Sequence, residues 1–362
     1  MKPLKVLQYI EGGNAYGAAR AFISTCESLR LRGHTVEVLT VKGRPLGREM
    51  RQLGFKVEEF ALKSKYAVSA YSGLRKLILS GGYDLVHTHL SMATLSGSLS
   101  GRWAKVPVVS TVHGMNHKLK YLFSRHLIAV SEAGKENLVK QGVAPRRVSV
   151  VYNGIDCPPF ESMPSREEAR AELGFGDDVL LVGSTSRIHR NKGLGTMIDA
   201  IPQILRDHPN AIYVVAGDGK HAEALRQEVE AKGLADAVRF VGYQQDVFRF
   251  LRALDAFVHP TLNEAMGISI VEAMLARVPV IGSDVGGVPE VIQPGTGSLV
   301  RPDDPQDLAE AVSRALSGSN ADQIDAAERH ARTAFGYEAM GLALEQAYDR
   351  TLSSSKVVES AR

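Results

Sequence analysis

Two carboxylates, Glu264 and Glu272, stand seven residues apart around Ala-Met-Gly-Ile-Ser-Ile-Val, just after a strand-like run Ala256-Phe-Val-His-Pro260. If Gly267 opens a helix, Glu264 lies in the loop before it and Glu272 more than a turn inside, so both can face one ligand along the helix N-terminus. The unpaired N–H groups and the positive dipole end there suit phosphate. Carboxylates suit the hydroxyls of a ribose and of a sugar, the role an acidic residue plays in nucleotide-binding α/β folds. A nucleotide sugar is the ligand that combines all three groups.

Other segments offer complementary chemistry. Ser184-Thr-Ser-Arg-Ile-His-Arg-Asn-Lys-Gly193 follows a second strand-like run and places Arg187 and Lys192 in one loop. A guanidinium gives planar, paired donors to phosphate oxygens and an ammonium a compact point charge, so the two together suit a diphosphate. The loop Gly12-Gly-Asn-Ala-Tyr-Gly17 follows the first strand and precedes a helix expected from about Ala15 to Arg32. It is Gly-Gly-x3-Gly, not the dinucleotide pattern Gly-x-Gly-x-x-Gly, and by itself it is a tight connection. His113 closes a strand-like run at the carboxyl end of a parallel sheet, where open α/β folds bind ligands. His87 and His89 end another such run and could line the same region.

Together, in this order and spacing, these segments resemble retaining glycosyltransferases of the GT-B fold, in particular glycosyltransferase family 4, whose members carry a Glu-x7-Glu motif. His113-Gly114, Val130-Ser131-Glu132, Asn153-Gly-Ile-Asp156 and the block from His259 to Glu290 belong to the resemblance, which extends over most of the chain. It implies that Glu272 binds the ribose hydroxyls and Glu264 the transferred sugar. It further implies that Gly267, Ile268 and Ser269 offer N–H groups to the diphosphate, that Gly13 touches the diphosphate or the acceptor, and that His113 sits beside the donor sugar. Tyr243 and Val241 are plausible contacts for the base. Family members carry Gly-Arg-x4-Lys-Gly; this chain keeps Arg187, Lys192 and Gly193 but has Ser186 in place of glycine. The mechanism implied is front-face substitution, with the leaving phosphate accepting the acceptor's proton.

The elements that must position these groups are legible as short β-branched runs alternating with amphipathic stretches. In the first half, strands are expected at residues 5–10, 35–40, 56–60, 84–87, 108–112, 127–130 and 148–151. In the second half they are expected at 179–183, 211–216, 238–241, 256–258, 278–281 and 298–300. Paired prolines and a glycine break the pattern at residues 153–160. The expected fold is therefore α/β: two Rossmann-like, doubly wound parallel-sheet domains which, in the GT-B architecture, face a central cleft. Their expected limits are 1–155 for the acceptor domain and 156–335 for the nucleotide-sugar domain. Residues 336–362 would form a terminal helix, with a flexible tail, that in this fold family returns to the first domain.

Composition narrows the function. Of 362 residues 44% are hydrophobic, enough for two cores. No run of about eighteen apolar residues is present and the chain opens on a strand-like segment, which points to a cytoplasmic protein. Cys26 and Cys157 are too few and too dispersed for a disulfide framework or a zinc site, and read as reduced thiols. Asp303-Asp304 reads as a helix cap, so no metal and no cofactor is expected beyond the nucleotide sugar as co-substrate, UDP-sugar favoured over GDP-sugar. The net charge of +3 hides an asymmetry: residues 1–155 hold 23 Lys and Arg against 9 Asp and Glu, a formal +14, and the remainder 20 against 31, a formal −11.

Such a basic half suits a polyanion or an anionic membrane surface, and no helix-turn-helix, zinc-finger or aromatic-basic strand signature points to nucleic acid. Lys118-Leu-Lys-Tyr-Leu-Phe-Ser-Arg125 sets Lys118, Lys120 and Arg125 among large apolar residues. It reads either as an ordinary core helix or as a surface that dips into an anionic interface, to which Lys63 and Lys65 would add charge. The expected activity is that of a retaining, metal-independent glycosyltransferase of the hexosyltransferase class, acting on an anionic or lipid-linked glycan precursor in cell-envelope polysaccharide or lipopolysaccharide synthesis, on the inner face of the membrane. A small soluble anionic acceptor, a nucleotide-sugar epimerase and a non-catalytic sugar-nucleotide-binding subunit are the alternatives.

Overall fold

A computed structural model describes the chain except residues 12–15, 61–67 and 360–362, and describes only the backbone of residues 16, 68–70 and 354–359. The chain divides into two compact units, Met1–Asp156 with Phe335–Arg362, and Cys157–Ala334. These limits differ by one residue from those expected at 155/156 and 335/336.

The first unit is built on strands β1 (Lys5–Ile10), β2 (Thr35–Val41), β3 (Lys56–Phe60), β4 (Leu85–His89), β5 (Val108–Val112), β6 (His126–Ala129) and β7 (Val148–Val150). They form one parallel sheet in the order β3-β2-β1-β4-β5-β6-β7. Helices α1 (Tyr16–Leu31), α2 (Pro45–Gln52), α3 (Val68–Gly81), α4 (Ser91–Ala104) and α5 (Glu132–Lys140) make the crossovers. Alternation along each strand splits the core between the two sheet faces. Val6, Leu85, Val109 and Ile128 form one cluster, whereas Leu7, Tyr9, Val86 and Val108 pack with Leu74, Ile78 and Ala93 of α3 and α4. The former cluster also takes in Met340, Leu344, Ala347 and Tyr348 of the last helix. That helix therefore belongs to the first sheet, and burial of Met340 and of Leu344 contributes about 1.5–3 kcal/mol each.

The second unit contains α6 (Arg166–Leu173), β8 (Leu180–Thr185), α7 (Leu194–Asp207), β9 (Ala211–Ala216), α8 (Ala222–Ala231), β10 (Val238–Gly242), α9 (Val247–Arg252) and β11 (Ala256–His259). It continues through α10 (Ile268–Leu275), β12 (Val280–Ser283), α11 (Val288–Val291), β13 (Ser298–Val300), α12 (Pro305–Ser317) and α13 (Ala321–Phe335); α14 (Tyr337–Glu359) is the helix that packs on the first sheet. Its six strands, all parallel, run β10-β9-β8-β11-β12-β13. Asp304 caps α12 by accepting from the Asp307 N–H at 3.0 Å, as its position before a helix predicts. Both sheets reverse strand order once, between β1 and β4 and between β8 and β11. Parallel α/β sheets bind ligands at the carboxyl ends of such a reversal.

Candidate functional site

In the second unit the loops after β8 and β11 meet at the reversal. The backbone from residue 190 to 192 makes one 3-10 turn, ending at Gly193 with φ of 63°. A Cβ there would lie 1.7 Å from the Pro260 carbonyl oxygen, so the residue after Lys192 must be glycine for the two loops to touch. The Leu262 N–H and Thr261 hydroxyl donate to the Asn191 carbonyl at 2.9 and 3.1 Å and lock the approach. The same logic fixes Glu264 from the other side. Gly286, with φ of 54°, would place a Cβ 2.0 Å from the Glu264 carbonyl oxygen, which accepts from the Gly287 N–H at 3.2 Å.

Held in this way, Lys192 and Glu264 meet although 72 residues separate them. The Lys192 ammonium donates to Glu264 Oε2 at 2.6 Å, and His259 Nε2 stands 3.0 Å from the same oxygen. Glu264 Oε1 accepts from the Ala265 N–H at 3.0 Å, and His259 Nδ1 lies 3.3 Å from the Ser269 hydroxyl. Burial opposes ionisation of Glu264, but hydrogen bonds and charge from His259 and Lys192 outweigh it and hold the carboxyl well below the usual carboxylate range. The cluster is thus a carboxylate clamped by an ammonium and an imidazole, directly before a helix.

Gly267 is the N-cap of α10, and Ile268 and Ser269 open its first turn, where backbone N–H groups lack intrahelical acceptors. Glu272 lies one turn further in, 4% exposed. Helical side chains lean toward the N-terminus, so its carboxylate tilts toward the end of the helix that Glu264 precedes. Arg187 is exposed in the β8 loop and makes no ion pair among the described residues. Val241 lies in β10, an edge strand two places from β8, and Tyr243 follows its last residue, exposed. Arg187, Lys192, Glu264, Gly267, Ile268, Ser269 and Glu272 therefore sit on loops and a helix at one end of the second sheet. His259 is the member that sequence reading passed over, although its place at the carboxyl end of β11 was a signal for it.

In the first unit His113 directly follows β5, half buried, with Nε2 2.9 Å from His89 Nδ1. Burial lowers its pKa to about 4, so the ring is neutral. His87 and His89, for which lining the ligand region was one option, are fully buried. They face the α14 side of the sheet because alternation along β4 sets them on the same side as Leu85, a member of the α14 cluster. The segment containing Lys118, Lys120 and Arg125 also differs from one of its two readings. It forms a single 3-10 turn, Lys118–Tyr121, in which only Tyr121 is buried; Leu119, Leu122 and Phe123 are 64%, 60% and 45% exposed. A core helix is thus ruled out for it. Gly13, Lys63 and Lys65 lie outside the described residues. Among the described residues no group of three or more His, Cys, Asp or Glu is arranged to hold a metal ion, and no helix is long and apolar enough to cross a membrane.

Residues 15–157 match the model of Glycosyltransferase Family 4, and residues 165–333 that of Glycosyl transferases group 1. The gpi3 subunit of phosphatidylinositol N-acetylglucosaminyltransferase from Schizosaccharomyces pombe is 31% identical over 67% of this chain, a match spanning only 55% of its own length. The D-inositol 3-phosphate glycosyltransferase of Streptomyces bingchenggensis is 26% identical over 77% of this chain and 69% of its own. Among solved structures, Anabaena HepE in complex with UDP and glucose superposes with a TM-score of 0.84 at 22% identity, over 96% of this chain and 99% of that one.

Proposed function

The chain is a family 4-like glycosyltransferase of the GT-B fold, and we propose that it moves a sugar, with retention and without a metal, from a UDP-sugar to an anionic or lipid-linked glycan acceptor of the cell envelope. The observation that carries this reading is the Lys192–Glu264–His259 cluster in front of α10. An incoming diphosphate competes with Glu264 for the Lys192 ammonium. Its oxygens then take Lys192, Arg187 and the N–H groups at Gly267, Ile268 and Ser269, and these donors stabilise charge on the departing phosphate. Glu264, still oriented by His259, turns its freed lone pairs to the transferred sugar. Glu272 takes the ribose hydroxyls and Val241 and Tyr243 contact the base; the family resemblance gives His113 a contact to the sugar. The acceptor oxygen attacks C1 on the face the phosphate leaves, and the phosphate oxygen takes its proton.

The preference for UDP draws on HepE, solved with UDP and glucose. The lipid-linked acceptor draws on the phosphatidylinositol-directed relative and on Met115, Leu119, Leu122 and Phe123, exposed beside Lys118, Lys120 and Arg125. This apolar turn rimmed with cations suits the peripheral, cytoplasmic face of an anionic membrane. The inositol-phosphate-directed relative favours a second reading, a small soluble anionic acceptor steered by the basic half.

Incubating the purified protein with UDP- and GDP-sugars plus candidate acceptors, followed by product analysis, tests the reading. A new glycoside of retained configuration, formed equally well after chelation, is expected. A changed donor sugar would make the protein an epimerase, and binding without product a non-catalytic subunit. Donors are found by thermal shift, since a ligand at a hundredfold its Kd adds about 2.7 kcal/mol. Sedimentation with vesicles containing anionic lipid separates the acceptors: binding should fall with salt as the Debye length shrinks from about 10 Å at 0.1 M to about 3 Å at 1 M. Full activity on a soluble acceptor with no vesicle binding at low salt would sink the membrane reading alone.

A further inference from the structure

Parallel register puts a line of polar side chains on one face of the first sheet. Gln8 pairs with His87, and His89 with Thr111, in adjacent strands. Gln8, His87 and His89 are 0% exposed, as is Tyr348, which α14 lays across them. Buried polar groups require partners, and these have them. Gln8 Nε2 donates to the Tyr348 hydroxyl at 3.0 Å and lies 3.3 Å from His87 Nδ1; the Tyr348 hydroxyl is 2.7 Å from His87 Nδ1, and His87 Nε2 is 2.7 Å from Thr111 Oγ1. At the other end of the amide, Gln8 Oε1 is 3.0 Å from His89 Nε2, and His89 Nδ1 is 2.9 Å from His113 Nε2.

The order of protons follows from the amide. An amide oxygen only accepts, so His89 carries its hydrogen on Nε2. Burial holds all three imidazoles neutral, His87 with a pKa near 3, His113 near 4 and His89 well below the usual value. In a neutral ring the other nitrogen is a lone pair. His89 Nδ1 must therefore accept, and His113 Nε2 must donate to it.

We propose that Gln8, held by Tyr348, and His89 act as positioning residues that fix His113 as the Nε2–H tautomer, so that its Nδ1 presents an acceptor lone pair to a sugar hydroxyl. The sugar contact rests on the proposed function; the tautomer does not. Through this chain α14, at the far end of the sequence, sets the hydrogen-bonding sense of His113 within the first unit.

Long-range proton–nitrogen correlation spectra of the full-length protein labelled with nitrogen-15 histidine, at pH 7.5, read the tautomer without substrate. His113 is expected to be protonated on Nε2 alone. His89→Asn, whose side-chain oxygen can replace the Nδ1 acceptor, should preserve that pattern, whereas His89→Leu should give a mixture of both tautomers and lower kcat roughly tenfold, the worth of about one hydrogen bond. Tyr348→Phe loosens the amide and should raise a minor Nδ1–H form, which keeps the test open if His89→Leu fails to fold. A wild-type His113 protonated on Nδ1, or a His113 spectrum unmoved in both His89→Leu and Tyr348→Phe, would overturn the relay. If the tautomers respond as stated while His113→Ala keeps full turnover, the relay stands and the sugar contact falls.

Discussion

The two ends of the second sheet each carry an ion pair, and the pairs differ in how completely the protein satisfies them. At the amino end Arg170, 1% exposed at its side chain, bonds Asp255 at 2.6 Å, and its remaining donors reach the carbonyls of Ala253, Gly176 and Val179 at 3.1, 2.6 and 3.1 Å. Asp255 also accepts from the Leu181 N–H and from Arg166, both at 2.7 Å. At the carboxyl end the Lys192 ammonium has Glu264 as its described partner, and the two side chains keep 19% and 17% exposure. Short distance is common to both pairs. Saturation separates them: a guanidinium with four of its five N–H donors engaged holds the fold, whereas an ammonium with donors to spare, beside a helix N-terminus, can exchange its carboxylate for a ligand.

The sharpest way to break this comparison is to delete one member of each pair. Arg170→Ala should cost about 3–5 kcal/mol of stability, because it breaks the ion pair to Asp255 and leaves the carbonyls of Ala253, Gly176 and Val179 without their donor, while the donor KM of the folded fraction stays unchanged. Urea unfolding checks it, and an unmoved midpoint would show that the saturated pair is not structural. Lys192→Ala should reverse the pattern. Loss of about 2–4 kcal/mol in kcat/KM is expected with a stability change of only about 1 kcal/mol, measured by steady-state kinetics alongside the same denaturation. Arg187→Ala, at an exposed side chain, should cost less activity than Lys192→Ala.

pH sets the carboxylate of the second unit against the imidazoles of the first. His87 titrates near 3 in the fold and near 6.5 when unfolded, so the unfolded chain takes up its proton first. Stability from this group is complete above about pH 6.5 and is lost as pH falls toward 3, at a slope approaching about 1.4 kcal/mol per pH unit. Glu264 is also depressed in the fold, but its contribution is present above the ordinary carboxylate range and fades only as pH drops below about 4.5. Between pH 6 and 5, therefore, His87→Gln should flatten the loss of stability and Glu264→Gln should not; the same slope in both variants would erase the distinction. The smallest expected effect lies within the motif itself. Glu272→Ala should raise the donor KM about tenfold at nearly constant kcat, as for contacts made equally in ground and transition states, whereas Glu264→Gln should lower kcat.

Much of the fold was legible because it is local. β1, β3, β5, β9 and β13 occupy the residues their β-branched runs predict. β12 was expected at residues 278–281 but spans Val280–Ser283, because the Val278 N–H is bonded to Ala273 at the end of α10 and Arg277 turns the chain with φ of 60°. Residues 118–125 were ambiguous since cations and apolar groups alternate there without a helical period. Nor did anything in the spacing of His87 and His89 separate a site-lining role from a buried one; that depended on which helix covers their face of the sheet.

The sequence by itself determined the alternation of strands and helices and the chemistry concentrated between Glu264 and Glu272, since hydrophobic period, glycine placement and charge type are properties of neighbouring residues. Tertiary structure alone decided that Lys192 reaches Glu264 across 72 residues and that Tyr348 closes on Gln8 across 340. Those meetings follow from strand order, register and the glycine contacts between loops, which no local pattern encodes. A one-place change in strand order or a one-residue slip of register would separate both sets of partners while leaving every motif intact.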